Sequence, residues 1–142
     1  TDLDRTVQGL SRIGLDTIAG HLQWGMTEWK SQGLPVERVP QISVHDLATM
    51  KDERPDLVVI DVREASERDD GHIDGALHVP MSEALARKDL VPDGRPKAVL
   101  CAGGLRSSTV ISALSRAGLT NFHNVIGGMT AWQKGGYSTV KR

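Results

Sequence analysis

The chain has 142 residues, 17 Lys and Arg against 18 Asp and Glu, and a single cysteine. That length fits one domain of ordinary size plus an appendage. The near-cancelling charge excludes an electrostatic case for nucleic acid or a membrane surface, and no apolar run approaches the ~18 residues of a membrane span. A lone cysteine excludes an intramolecular disulfide framework and fits a reducing compartment, so a cytoplasmic location is expected. The opening residues, Thr1-Asp2-Leu3-Asp4-Arg5, lack the basic and apolar regions of a signal peptide and an initiator Met, and read as the start of an excised fragment.

Along the chain, the first feature is a partial internal repeat. Leu10-Ser11-Arg12-Ile13-Gly14-Leu15 recurs as Leu114-Ser115-Arg116-Ala117-Gly118-Leu119, and Gly25-Met26-Thr27-Glu28-Trp29 recurs as Gly128-Met129-Thr130-Ala131-Trp132. A period near one hundred residues is that of a duplicated domain rather than a solenoid. Residues 1 to about 36 therefore read as the back end of a preceding unit, with a helix near Met26 to Ser31, and Leu34 to Pro40 as an extended linker. The boundaries that follow are 1–40 for the partial segment and linker, and 41–142 for a complete domain.

In the second unit, Ser43-x-x-Asp46 has capping-box spacing and opens a helix to about Met50. Leu57-Val58-Val59-Ile60 is a continuous apolar run, the pattern of a strand covered on both faces. A helix near Glu64 to Asp69, a strand near Ala76 to Val79 and a helix near Ser82 to Arg87 follow. A strand then runs into Cys101, with a helix from Arg106 to Ala117, a strand near Phe122 to Ile126 and a last helix near Met129 to Lys134. This alternation predicts an α/β fold, a mostly parallel central sheet with helices on both faces. Cys101 then falls at the carboxyl end of a strand, where such sheets place their ligands.

A lone cysteine at a strand end is ordinarily a small buried hydrophobe. Here it opens the run Cys101-Ala102-Gly103-Gly104-Leu105-Arg106 between a strand and a helix. Two glycines let the backbone curl around the thiol, and the N–H groups of Ala102 to Arg106 can converge on the sulfur. The positive helix end and Arg106 add charge of the sign that stabilises a thiolate. The pattern is that of a nucleophile, Cys101, in an anion cradle. Asp61 and Arg63 flank Val62 just past a strand, either as an ion pair fixing loops or as a shell that orients the active loop. His72 and His78 have no third partner at metal-ligand spacing, so neither a metal nor a cofactor is expected. Trp132, and by repeat Trp29, read as helix-face core residues.

Cys101-x-x-Gly104-x-Arg106-Ser107 resembles the active loop of rhodanese-type sulfurtransferases. Three further stretches agree in order and spacing: Asp61-Val62-Arg63-Glu64; Gly71-His72-Ile73-Asp74-Gly75-Ala76 with His78 and Pro80; and Gly127-Gly128-Met129 with Trp132. The resemblance runs from about Ile42 to Gly136. It implies a rhodanese-like fold preceded by a partial rhodanese-like segment. It further implies transfer of sulfane sulfur from thiosulfate or a small persulfide such as glutathione persulfide, through a Cys101 persulfide, to sulfite, a thiol or cyanide. A sulfur carrier or regulatory module without turnover is the alternative. Cysteine phosphatases of related architecture read C-x5-R, one residue longer than the C-x4-R here, which disfavours phosphate. The N-terminal segment followed by such a unit also resembles the C-terminal part of bacterial fusions in which a metallo-β-lactamase-fold persulfide dioxygenase stands upstream. That likeness implies a link to sulfide and persulfide oxidation.

Overall fold

The computed structural model describes residues 3–12 and 17–141. The apolar positions Ile13 and Leu15 of the first repeat copy lie outside them. The chain divides into two units, Thr1–Glu37 and Arg38–Arg142.

The first unit holds α1 (Leu3–Ser11) and α2 (Gly25–Ser31). The helix α1 is not among the elements expected from the sequence, yet Leu3, Val7 and Leu10 stand at helical spacing there. Trp29 on α2 is half-buried rather than a core residue, and its indole N–H donates to the Pro35 carbonyl at 2.8 Å. The helix α2 starts after Trp24, a left-handed residue at φ 61°.

The second unit runs β1 (Gln41–Ile42), α3 (Val44–Glu53), β2 (Val58–Asp61), α4 (Ala65–Asp69), β3 (Leu77–His78), β4 (Lys97–Leu100), α5 (Leu105–Arg116), β5 (Phe122–Val125) and α6 (Gly128–Lys134). The five strands form one sheet in the order β1-β5-β4-β2-β3, and every pairing is parallel. The Ser43–Asp46 capping box is present, with the hydroxyl accepting from Asp46 N–H and the carboxylate accepting from Ser43 N–H. The strand β1, just past the expected linker of Leu34 to Pro40, is not among the elements expected from the sequence. It forms because the edge of β5 supplies partners, Asn124 N–H donating to Pro40 O and Ile126 N–H to Ile42 O.

The helix expected near Ser82 to Arg87 is instead a pair of 3₁₀ turns, Met81–Glu83 and Lys88–Leu90. Of residues 81–90 only Ala84 is buried. A helix there would have almost no apolar face to dock, and docking supplies most helical stability.

Alternate residues along the strands divide between two cores. Val59, Ala98 and Leu100 pack with Leu47 of α3 and with Met129 and Trp132 of α6. Ile60, Val99 and Phe122 pack with Val110, Ile111 and Leu114 of α5, and Cys101 belongs to this second cluster. Helices thus cover both faces, which is why Leu57 to Ile60 and Ala98 to Leu100 read as unbroken apolar runs. Lys97 is the exception in β4. It is fully buried, its ammonium donating to the carbonyls of Arg95 and Thr120 at 2.8 and 2.9 Å. No helix among the described residues is long and apolar enough to cross a membrane.

Candidate active site

The central strand β4 delivers Cys101 to the carboxyl end of the sheet, and α5 begins four residues later. Of the two loop glycines only Gly104 requires its residue type. It sits at φ 106° as the residue before α5, whereas Gly103 has ordinary backbone angles and open space where a Cβ would stand. The loop is fixed from below by α6. Met129 N–H donates to the Cys101 carbonyl at 2.8 Å and Thr130 N–H to the Ala102 carbonyl at 3.1 Å. This approach needs Gly128, where an added Cβ would lie 2.1 Å from the Cys101 carbonyl oxygen. With its carbonyls held by α6, the loop is free to turn N–H groups toward the thiol.

Gly104 N–H donates to Cys101 Sγ at 3.0 Å, and the Ser107 hydroxyl lies 3.6 Å from it. Burial of Cys101 opposes ionisation. The Ser107 N–H, with the nearby Ser107 hydroxyl and the N–H groups of Gly104 and Gly103, outweighs it and holds the thiol below its ordinary value. The cradle therefore reaches one residue beyond the run from Ala102 to Arg106 expected from the sequence. Leu105, expected to line it, turns its side chain to solvent at 82% exposure.

Ser107 is itself held by a buried polar chain. Its hydroxyl donates to Asn124 Oδ1 at 2.7 Å, and Asn124 Nδ2 donates to Gln41 Oε1 at 2.7 Å and to the Gly104 carbonyl at 3.3 Å. Ser107 and Asn124 are both buried, so this chain ties β1 and β5 to the nucleophile loop. None of the three side chains was singled out for this role from the sequence. Ser107 stands within the loop motif, but Asn124 and Gln41 lie on other strands and leave no local signal.

Arg106 does not stand free to meet an anion. Its Nη1 and Nη2 each donate to a carboxylate oxygen of Glu67 at 2.7 Å. That hydrogen-bonded pairing is the main cause that lowers the Glu67 carboxyl to about 2 and raises the guanidinium further; the Cys101 sulfur adds a smaller upward contribution to Arg106. Glu67 also accepts from Glu64 N–H at 3.1 Å, in the box that caps α4. From the sequence, Glu67 stands only within the helix expected near Glu64 to Asp69, with no role of its own.

Asp61 and Arg63 form a buried ion pair at 2.7 Å, and the Arg63 backbone N–H also donates to Asp61 Oδ1 at 3.0 Å. Arg63 further donates to the carbonyls of Glu67 and Gly71, each at 2.9 Å. The pair thus fixes α4 and the following turn, and through Glu67 it bears on Arg106. His72 and His78 face the carbonyls of Arg68 and Arg63. Among the described residues no cluster of His, Cys, Asp or Glu could hold a metal ion.

A buried thiol at the carboxyl end of a parallel sheet, ringed by loop N–H groups and a hydroxyl, defines an α/β protein of the cysteine-loop class. Residues 43–135 match the rhodanese-like domain family, and the chain belongs to it. A rhodanese-related protein from Thermoplasma volcanium superposes with a TM-score of 0.66 at 32% identity, covering 72% of this chain and 99% of that one. The thiosulfate sulfurtransferase GlpE of Coxiella burnetii is 30% identical over 78 residues, 55% of this chain and 73% of GlpE. YrkF of Bacillus subtilis is 29% identical over 94 residues, 66% of this chain, and the chain spans about half of that relative, 51% of its length.

Proposed function

We propose that the protein is a sulfurtransferase that moves a sulfane sulfur from thiosulfate or a small persulfide to a nucleophilic acceptor. Cys101 thiolate attacks the outer sulfur of the donor, the S–S bond of the donor breaks, and its electron pair leaves with sulfite or a thiolate. An acceptor such as sulfite, a thiol or cyanide then attacks the outer sulfur of the Cys101 persulfide and regenerates the thiolate. The observation that carries this reading is the ring of Gly103, Gly104 and Ser107 donors on Cys101, which favours negative charge on sulfur as an oxyanion hole does on oxygen. The sulfurtransferase GlpE among the relatives supports it.

Intact-mass measurement after incubation with thiosulfate or glutathione persulfide tests the first half-reaction. One added sulfur is expected on the wild type and none on Cys101→Ser; sulfur on the mutant sinks the assignment. Thiocyanate formed on adding cyanide in repeated cycles separates an enzyme from a carrier, the second reading, which the sulfur-carrier name borne by YrkF favours. A module that loads once and does not turn over with any acceptor is the carrier.

The first unit is read as the remnant of a preceding rhodanese-like domain, with residues 1–40 as segment and linker. The recurrence of Gly-Met-Thr-x-Trp in α2 and α6 supports this, and both helices follow a left-handed residue, Trp24 at φ 61° and Gly127 at φ 75°. An upstream metallo-β-lactamase-fold domain in the full-length protein, and with it a place in cytoplasmic persulfide oxidation, completes the proposal. Mass spectrometry of the native protein tests it by showing whether such a domain is attached.

A further inference from the structure

The loop that holds Cys101 carries one charged side chain, Arg106, from Cys101 to Ser107. Its two terminal nitrogens each give one N–H to Glu67 in a fork-to-fork pair at 2.7 Å. Bidentate pairing of this kind is strong and geometrically specific. Glu67 is kept in place from two further sides. Glu64 N–H donates to its carboxylate, and Arg63, locked to Asp61, donates to its backbone carbonyl. Glu67 is ionised at any working pH, since its carboxyl titrates at about 2. The positive charge beside the nucleophile is therefore largely offset at its source, and its interaction with the Cys101 sulfur is the smaller one. The main groups left to offset negative charge on sulfur are the neutral donors of Gly103, Gly104 and Ser107.

We propose that Glu67 determines donor specificity, by masking Arg106 so that the site favours organic persulfides over dianionic donors. The proposal rests on the sulfur-transfer reading above. With a persulfide the step is Cys–S⁻ + R–S–SH → Cys–S–SH + R–S⁻, and the reacting sulfurs carry one negative charge throughout. With thiosulfate it is Cys–S⁻ + S–SO₃²⁻ → Cys–S–S⁻ + SO₃²⁻, and three negative charges share the same few ångströms. Neutral N–H groups can stabilise the first. The second needs an uncommitted cation within reach, and the cation that the loop supplies already has its counter-ion. A dianion must displace Glu67 from Arg106 or react beside an unmasked excess of negative charge.

The test compares kcat/KM for thiosulfate and for glutathione persulfide, with cyanide as acceptor, in the full chain and three variants. Glu67→Gln keeps the size of the side chain and removes its charge. The ratio of thiosulfate to persulfide kcat/KM should rise about tenfold, the order expected when one charge is lost near a reacting anion in a partly wet site. Its thiosulfate reaction should also slow as salt is added, which a purely structural role would not produce. Arg106→Ala, which leaves Glu67 unpaired, should lower the ratio. Glu67→Gln with Arg106→Ala should return it near the wild-type value, and this variant carries the test if the single glutamine change does not fold. A ratio that stays within about twofold of wild type in Glu67→Gln, or falls, overturns the assignment. If neither donor places sulfur on wild-type Cys101, sulfur transfer itself fails, a result separate from any change in ratio.

Discussion

Gly128→Ala is the change that most directly tests how the nucleophile loop is held. The new methyl carbon would stand 2.1 Å from the Cys101 carbonyl oxygen and 2.8 Å from that of Ala102. Both obstacles are backbone, so no side chain can rotate away, and either α6 retreats or the loop moves. A non-glycine residue at φ 49° costs roughly 1 to 2 kcal/mol. Retreat of α6 also breaks the Met129 and Thr130 hydrogen bonds to the loop, each worth about 1 kcal/mol net. The expected loss is therefore ~3 to 4 kcal/mol, a fall of about 2 M in the urea midpoint for a domain of this size. Gly103→Ala is the control. With no neighbour within 4 Å of its added Cβ, it should cost no more than about 0.5 kcal/mol. Urea unfolding followed by circular dichroism measures both. Iodoacetamide alkylation of the single cysteine should be altered in the Gly128 variant and close to wild type in the Gly103 variant. A Gly128→Ala protein that loses less than about 1 kcal/mol and alkylates normally would refute the clamp.

Three further outcomes are expected. Ser107→Ala removes the hydroxyl that lies 3.6 Å from the Cys101 sulfur and, through Asn124, fixes the Ser107 N–H on it, so the pH midpoint of iodoacetamide alkylation should move up and the reaction at neutral pH should slow; an unchanged or lower midpoint would contradict this role. Because the folded-state thiol lies below its ordinary value, its contribution to stability grows as pH rises from the folded value to the ordinary one, and this gain should shrink in the same variant. The Glu67 carboxyl is lowered from 4.5 to about 2, so the stability it contributes is complete above 4.5 and is lost as pH falls toward 2. The urea midpoint of Glu67→Gln should accordingly decline less over that window than that of the wild type. Every residue of the candidate site lies within Arg38–Arg142, so a chain starting at Arg38 should take up one sulfur on Cys101; a folded protein that does not would place part of the site in the first unit.

Patterns local in sequence carried over into the structure. The capping box at Ser43, the apolar runs of β2 and β4, and the strand-loop-helix around Cys101 each depend on neighbours a few residues apart, and each stands where expected. The remainder depends on distance. Glu67 reaches Arg106 across 39 positions, and Gln41 reaches Asn124 across 83, so no spacing announces either contact. Glu67 caps α4 with Glu64 and pairs Arg106 with the same carboxylate, and only the fold brings the second partner to it. The two-residue β1 has no apolar period to display and exists only because β5 offers it an edge. Gly103 and Gly104 are identical letters, and only the backbone angle at Gly104 separates a required glycine from a replaceable one.

The antiparallel bridge at the end of the chain gives the protein a mechanical handle. Val140 and His72 exchange both backbone hydrogen bonds at 2.9 Å, which staples the C-terminal tail to the turn at Gly71. The Gly71 carbonyl is one of the acceptors that anchor Arg63, and Arg63 holds the backbone of Glu67, whose carboxylate holds Arg106. Tension applied at the C-terminus thus runs through a line of hydrogen bonds to the residue beside the nucleophile. A purification tag or surface tether placed just after Val140 therefore loads that line directly.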